Sequence, residues 1–526
     1  MSTAQPQLAG PGGARTHPVV RRRRLEDVLV VSITALIAIA VALGVATAVP
    51  KPNLLITLGL LLGALGLLTL MVNSRLEVTV TILAVYLGCL DGPIKGFSGG
   101  GNLVAVLRNV LIAAVCAGAL IRILTRREGV KLPPLSGWVI AFTALVLVEA
   151  LNPNTNGTLK ILGGFRQQLE WIPFFFFGYA LIRSKGRLRK LFVVLSLIAL
   201  ANGIVSAYQT RLTPHQLASW GPGYAERVLG TGGASGTTYF SEGEGHVRPL
   251  ALGSDIGFGG SVGVIALPGT LALLATARWR RRWLIPLLCM GALLAVATSL
   301  SRTAILGSIV TLLSFGVFSL SAGRQVIRPL AAMMVVLVLA VVLVTVLSST
   351  EGSSAFSRYT SIAPEQVGTT APSYKEISLK QIPNDIANDP FGFGLGTSGA
   401  ASGFGGHTKV QLEGHGFSSE TQYNFVMNEL GLPGLILWVS FTIMLLSLAA
   451  TRLRQIHDIE TRIDLAAVFS VIAGLTFMGF AGAFMAGQGA GPFFWFAAGI
   501  VAYWLAGPES AVRSKMRRTT SRLGVA

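Results

Sequence analysis

Apolar runs of about 17–25 residues, separated by polar connections, recur along the whole chain, and that length carries an α-helix across about 30 Å of hydrocarbon. The pattern predicts spans at Val28–Val49, Leu54–Val72, Leu76–Leu90, Leu103–Ile121, Leu135–Leu151, Leu169–Ile182 and Leu191–Tyr208. It continues with Ile256–Thr276, Leu284–Ser299, Thr303–Ser321, Leu330–Leu347, Phe425–Ala449, Leu465–Met485 and Phe493–Ala506. The expected fold is an all-α polytopic integral membrane protein with about 14 (12–14) transmembrane helices. No repeat of 20–50 residues and no matched pair of broken half-helices is visible, which argues against an inverted-repeat transporter.

Two polar segments interrupt this regularity: Gln209–Asp255, and a loop over 348–424. A loop as long as the second is usually functional or disordered, and this one carries shaped signals. Ser373 followed by Glu376 reads as a capping box, predicting a helix over Tyr374–Ile382 that stops at Pro383. Asp389-Pro390 with Gly392, Gly394 and Gly396 predicts a tight turn nearly free of side chains, and a second glycine-rich patch holds His407 and His415. Ser419 with Gln422 repeats the capping pattern at the start of the next span.

Composition agrees with the pattern: 52% of residues are hydrophobic and 12% charged, too little charge to solvate a surface of this size. The formal charge of +19 invites a nucleic-acid reading, which the placement of the cations rejects. The clusters at Arg21–Arg24, Arg126/Arg127/Lys131, Arg183–Lys190, Arg278–Arg282, Arg324/Arg328, Arg452/Arg454/Arg462 and Arg513–Arg522 abut apolar runs at every second connection. That is the positive-inside bias, and it predicts a multi-pass protein of the cell (plasma) membrane with both termini cytoplasmic. Cys89, Cys116 and Cys289 all lie in apolar runs without metal-ligand or disulfide spacing. The N-terminus does not read as a cleaved secretory signal, because its Arg cluster lies too far in and the apolar stretch after it is too long.

The chain therefore divides into a disordered cytoplasmic tail (1–24), N-terminal transmembrane helices (25–208), an outer-face loop (209–255) and central transmembrane helices (256–347). The large outer-face loop (348–424), C-terminal transmembrane helices (425–506) and a basic tail (507–526) follow. Chemistry is expected at the outer face. Arg302 sits at a bend there, flanked by Ser299, Ser301 and Thr303, while Arg166 and Arg248 open or precede other spans on the same face. Arg302 is read either as a functional cation or as a snorkelling anchor. Arg108 lies inside its span, as a functional cation or as a packing partner of Asp91 or Glu149. Arg211 and Arg227 read as solvated, and Phe174–Phe177 as lipid-facing or core bulk.

Four stretches carry a resemblance. SLSRTAILGSIV resembles the Ser-Arg signature of the bacterial O-antigen ligase and O-antigen polymerase family, and NDPFGFGLG resembles the start of that family's large outer loop. ETQYNFVMNELGLPGLIL resembles its closing motif, and HVRPLALGSDIGFGG is similar to its arginine-bearing stretch before a middle span. The ordered set covers roughly residues 160–450. The resemblance implies a metal-independent, inverting glycosyltransferase of GT-C-like fold, without a cofactor. Its partners would be a polyprenyl-diphosphate-linked glycan donor, a glycan acceptor, the lipid bilayer and other envelope polysaccharide assembly proteins. The ligase branch carries a His at the start of the closing motif. Glu420 stands in that slot here, with His415 five residues earlier.

Physical chemistry suits that implication. A diphosphate leaving group needs fixed cations, and arginine binds phosphate through two parallel hydrogen bonds without losing its charge. Arg302, with Arg248 or Arg166, is the expected diphosphate site. Glu420 and His415 compete as the base that takes the acceptor hydroxyl's proton. Glu420 is equally readable as a first-turn acid favoured by the helix dipole, and His415 as a solvated loop residue. The alternative class is a transporter or flippase of a lipid-linked or polyanionic glycan.

Overall fold

The computed structural model describes residues 76–98, 102–126, 132–155, 157–229, 247–276, 284–321, 323, 327–348, 373–403 and 421–506. The expected spans Val28–Val49 and Leu54–Val72, both tails, and His407, His415 and Glu420 lie outside the described residues. Within them the chain is helical throughout, with no β-strand. It divides into two compact units, residues Met1–Val80 with Val110–Lys131, and Thr81–Asn109 with Leu132–Ala526. The described part of the first unit is helical and apolar, with Val80, Ile112 and Val115 buried. The packing and the site described below concern the second unit.

The described helices, in chain order, begin with α1 (Leu76–Val85), which continues through a π-helical turn, Tyr86–Leu90, into α2 (Asp91–Ser98). Next come α3 (Asn102–Arg126), α4 (Ser136–Glu149), α5 (Thr158–Leu169), α6 (Pro173–Leu181), α7 (Lys185–Gln209), α8 (Pro214–Ala218) and α9 (Pro222–Leu229). The remainder are α10 (Phe258–Thr276), α11 (Leu284–Thr298), α12 (Arg302–Ser319), α13 (Ile327–Ser348), α14 (Ser373–Asn388), α15 (Gln422–Arg452), α16 (Ile459–Met478) and α17 (Gly491–Val501). Among the described helices, 6 are long and apolar enough to cross a membrane: Leu76–Phe97, Lys185–Gln209, Phe258–Thr276, Arg302–Ser319, Gln422–Gln455 and Ile459–Met478.

α10 is the central element, buried along nearly its whole length and packed by α7, α11, α12, α13 and α16. Small residues make this possible. A Cβ on Gly263 would lie 2.7 Å from the Ala292 carbonyl oxygen of α11, closer than any side chain tolerates. Small residues at such contacts let helices approach where no water drives association. The outward faces are the reverse of a soluble protein's, with Leu147, Ile204, Leu313, Val338 and Ile443 all exposed. An apolar exterior of this extent fits hydrocarbon and not water.

Polar groups collect at two poles. At the first, Lys185 Nζ meets Asp458 at 3.0 Å and also Glu460, while Arg189 bonds Glu460 at 3.0 Å and the buried Asp464 at 3.1 Å. Arg452 donates to the Leu505 carbonyl and Trp504 to that of Ile182. This basic pole joins the starts of α7 and α16 to the end of α15, so the opposite ends of those helices define a second pole.

Several expectations change. Leu169–Ile182 is not one span: the chain turns over Glu170–Ile172 and restarts at Pro173, whose missing N–H suits a first helical position. α6 alone rises only about 13 Å. α14 passes through Pro383 instead of stopping there and runs to Asn388. Thr421, not Ser419, caps α15, its hydroxyl accepting the Asn424 N–H at 3.1 Å. The helix predicted at Leu76–Leu90 continues to Ser98. Phe174, Phe175 and Phe177 are core residues.

Candidate functional site

The site is built on a broken helix. In α15, Gly431 adopts φ 63°, ψ −165°, and two residues on Pro433 can give no N–H to the carbonyl of Glu429. The backbone groups freed by the break are taken by the glycine loop. Phe393 donates its N–H to the Asn428 carbonyl at 2.6 Å, and Leu432 donates to the Pro390 carbonyl at 2.8 Å. The loop itself is held by the Glu429 side chain, which is fully buried. Its Oε1 accepts the N–H of Gly396 at 3.1 Å and of Ser398 at 3.3 Å, and its Oε2 accepts from Gln168 Nε2 at 2.8 Å. Gln167 of α5 reaches the same carboxylate and also donates to the Ser398 carbonyl.

The glycines are there for approach. Gly392, Gly394 and Gly396 have φ of 79°, 93° and 72°, and a Cβ on Gly396 would sit 2.3 Å from the Lys160 carbonyl oxygen. Lys160, fully buried in α5, donates Nζ to the Ser402 carbonyl at 2.9 Å. Burial pushes its ammonium below the ordinary lysine range, and the Glu429 carboxylate acts against that push. Loop residues 390–403 are thus locked between α5 and the start of α15. The tight turn expected from the glycine series is present, and its anchor, Glu429 of the Glu-Leu-Gly motif, lies in the quoted motif without having been singled out.

A second polar cluster lies at the same pole. Arg108 forms a paired contact with Glu170, Nε to Oε1 at 2.7 Å and Nη2 to Oε2 at 3.2 Å, and its guanidinium lies 5.1 Å from the centre of the Trp171 ring. Its Nη1 is 4.0 Å from Asp91, which in turn holds Lys95 at 2.7 Å. Glu149 is not its partner; that carboxylate is bonded by Asn152. Arg166 approaches the same Oε2 of Glu170 at 3.6 Å, its side chain 36% exposed. Gln488 links the cluster onward, accepting from Arg108 at 3.5 Å and from Ser254 Oγ at 2.9 Å.

Ser254 belongs to a strap over 247–257 that begins beside Arg248. Gln209 bonds both the N–H and the carbonyl of Ala251, Asn202 accepts from Leu252, and Gly257 donates to the Pro249 carbonyl. The strap's far end abuts Ser301, since a Cβ on Gly257 would lie 3.3 Å from the Ser301 Cβ. Ser301 caps α12 by accepting from Ala304, and Leu300 before it has φ 50°. Arg302 is therefore the first residue of α12, half-buried, with a buried Nε that has no hydrogen-bond partner among the described residues. A helix N-terminus with an arginine on its first turn favours anions through both the free N–H groups and the fixed charge.

The three arginines singled out from the sequence thus border one strap: Arg248 at its start, Arg302 at its end, and Arg166 through Glu170, Arg108, Gln488 and Ser254. Arg227, expected in solvent, instead has a buried Nη1 without a partner among the described residues. Glu170, Gln488 and Lys160 were not legible as site residues, because their partners are brought up by tertiary packing. Among the described residues no group of three or more His, Cys, Asp or Glu is placed to hold a metal ion. No protein-family model, curated protein or solved structure matches the chain.

Proposed function

We propose that the protein is a membrane glycosyltransferase of the O-antigen polymerase/ligase type. It transfers or polymerises a glycan from a polyprenyl-diphosphate carrier onto an acceptor sugar at the outer face of the cell membrane. In this reading the chain has about 14 spans and cytoplasmic termini, and the reaction is inverting and needs no metal. The observation that carries the reading is the start of α12, where Arg302 stands at a capped helix N-terminus beside the strap that bears Arg248. Preorganised cations aimed at a leaving diphosphate are the electrostatic route to catalysis without a metal. Arg302 binds the diphosphate with Arg248 or Arg166 as partner, and Glu420, or else His415, accepts the acceptor's proton. The clamp on residues 390–403 and the cap at Thr421 fix both ends of the segment carrying those two residues. Mass spectrometry of lipid-linked intermediates in a strain lacking the protein tests the reading: carrier-linked glycan should accumulate, and an unchanged lipid-linked pool would contradict it.

A transporter or flippase of a lipid-linked glycan is the second reading. The buried Asp91 and Arg108, both on helices and joined through Glu170 at the end of α5, favour it, since ionisable residues set within spans are a usual feature of transport pathways. Transport without transfer would leave the glycan on its carrier and shift only its sidedness.

A further inference from the structure

A groove of about 390 Å³ opens at the pole opposite the basic clusters, on the side of α2, α7 and α9, where it touches the strap at Leu252. Pro93 and Phe97 of α2, Tyr208 of α7, Trp220 and Tyr224 around α9, and Leu252 line it. The aromatics form a continuous ladder. Tyr208 stacks on Trp220 at 6.0 Å, Trp220 meets Tyr224 edge-on at 5.5 Å, and Tyr224 meets Phe97 edge-on at 5.5 Å. Phe97 and Tyr208 are each 57% exposed, on the ends of two membrane-length helices. Tyr and Trp gathered at helix ends mark the depth at which hydrocarbon gives way to headgroups.

A cation stands beside this apolar slot. Arg227 follows Tyr224 by three residues on α9, which places both on one face. Burial makes the Tyr224 hydroxyl harder to ionise, and the charge of Arg227 acts against that effect, so the guanidinium is close enough to Tyr224 to be felt there, next to the lining of the groove. Its Nη1 is buried with no partner among the described residues. Gly223 fixes α9 against α2, since a Cβ there would lie 2.2 Å from the Lys95 carbonyl oxygen. Behind the groove, Leu217, Val228, Val247 and Leu250 form a small core that holds α8 and α9 in place.

We propose that this groove binds one anionic phospholipid of the bilayer, with an acyl chain along the aromatic ladder and the headgroup phosphate on Arg227. Charge complementarity selects the occupant. A single guanidinium matches a phosphodiester of one negative charge, whereas a diphosphate calls for two or more cations. The volume lies at the small end of ligand sites, about 300–1,000 Å³, which suits one acyl chain and not a long polyprenyl chain. A lateral opening among exposed apolar residues admits a lipid directly from the membrane. Such a lipid would pin α9 to α2 and α7.

The test uses the purified full chain and native mass spectrometry, with phosphatidylglycerol and phosphatidylcholine of equal chain length as probes. Wild type should retain one phosphatidylglycerol per chain through detergent exchange and bind it at least about tenfold more tightly than phosphatidylcholine, as expected of a charge-assisted contact. Arg227→Gln should remove that preference and leave phosphatidylcholine binding unchanged. Ile204→Trp, at an exposed position on the groove's rim, should weaken both lipids and serves as a check that does not alter Arg227. Equal binding of the two lipids by wild type, or a preference that survives Arg227→Gln, would overturn the proposal. Displacement of phosphatidylglycerol by farnesyl diphosphate in an Arg227-dependent way would also overturn it, by assigning the groove to a prenyl diphosphate.

Discussion

Glu429 and Gly396, 33 residues apart in sequence, are joined by a 3.1 Å hydrogen bond from the Gly396 N–H to the Glu429 carboxylate inside the protein. The contact closes a large loop onto the helix that follows it, at the point where that helix is broken. Replacing the carboxylate by a methyl group leaves the Gly396 and Ser398 N–H groups and the Gln168 amide buried without their acceptor, at about 1–3 kcal/mol for each. Glu429→Ala should therefore raise amide hydrogen exchange over residues 392–398 sharply while leaving α10 protected. Exchange equal to wild type in that segment would contradict the clamp.

The break at Gly431 makes a related prediction. A Cβ there would lie 2.4 Å from the Pro390 carbonyl oxygen, and φ of 63° disfavours any L side chain. Gly431→Ala should cost more than the roughly 1 kcal/mol of a Gly-to-Ala change at positive φ alone, because the loop backbone must also retreat. Thermal unfolding in detergent measures this, and an unchanged midpoint would count against the loop's insertion into the break.

Arg108 and Glu170 form a buried ion pair, so removing one partner strands the other. Glu170→Leu should destabilise by about 3–5 kcal/mol, while Arg108→Leu with Glu170→Leu together should cost distinctly less. A double change costing the sum of the single ones would show that the pair does not act as a unit.

At the basic pole, Asp458 supplies a pH-dependent term. Burial raises its carboxyl, but the Thr461 hydroxyl and the Lys185 ammonium outweigh that effect and hold it below the ordinary aspartate value. The resulting stabilisation is present above the unfolded value of about 3.9 and is lost as pH falls through the lowered folded value. Asp458 is half-exposed, so Asp458→Asn should cost under about 1 kcal/mol at neutral pH. That deficit should vanish in acid. A deficit that persists well below pH about 3 would contradict the assignment.

Much of this fold was legible because apolar runs of membrane length leave few alternatives. The expected bounds of most described spans differ from the observed helices by only a few residues. The glycine turn was legible too, since only glycine accepts φ of 79°, 93° and 72° in series. Leu169–Ile182 misled because hydropathy does not register a restart at Pro173, and the run contains enough aromatics to hide it. The partners of Arg108 and Glu429 were hidden for another reason. Glu170 lies 62 residues from Arg108, and nothing local in either sequence marks them as a pair. Arg227 read as solvated because its segment is polar, while its burial comes from α9 folding down onto α2.

The proposed sidedness can be checked on its own. Single cysteines at Glu226 and at Lys185 should differ in labelling by an impermeant thiol reagent on intact cells, the first reactive and the second protected. Labelling at Lys185 would reverse the orientation and remove the outer-face reading of both loops.

The proposed base can be separated from the proposed cation site by comparing Glu420→Gln with His415→Ala. Glu420 occupies the position just before the capped start of α15, so Glu420→Gln should abolish transfer with carrier binding retained, and His415→Ala should cost much less. An active Glu420→Gln beside an inactive His415→Ala would give the role to the imidazole.

The most direct measurement is single-turnover transfer from a polyprenyl-diphosphate glycan by the purified, liposome-reconstituted protein, wild type against Arg302→Lys. Lysine keeps the charge and loses the planar fork that grips a phosphate. The account predicts transfer by wild type and a loss of about 100-fold or more in Arg302→Lys, on the scale of removing one preorganised oxyanion donor, at unchanged expression and folding. Near-normal transfer by Arg302→Lys and by Arg302→Ala would contradict it and leave Arg302 as an anchor at the membrane surface.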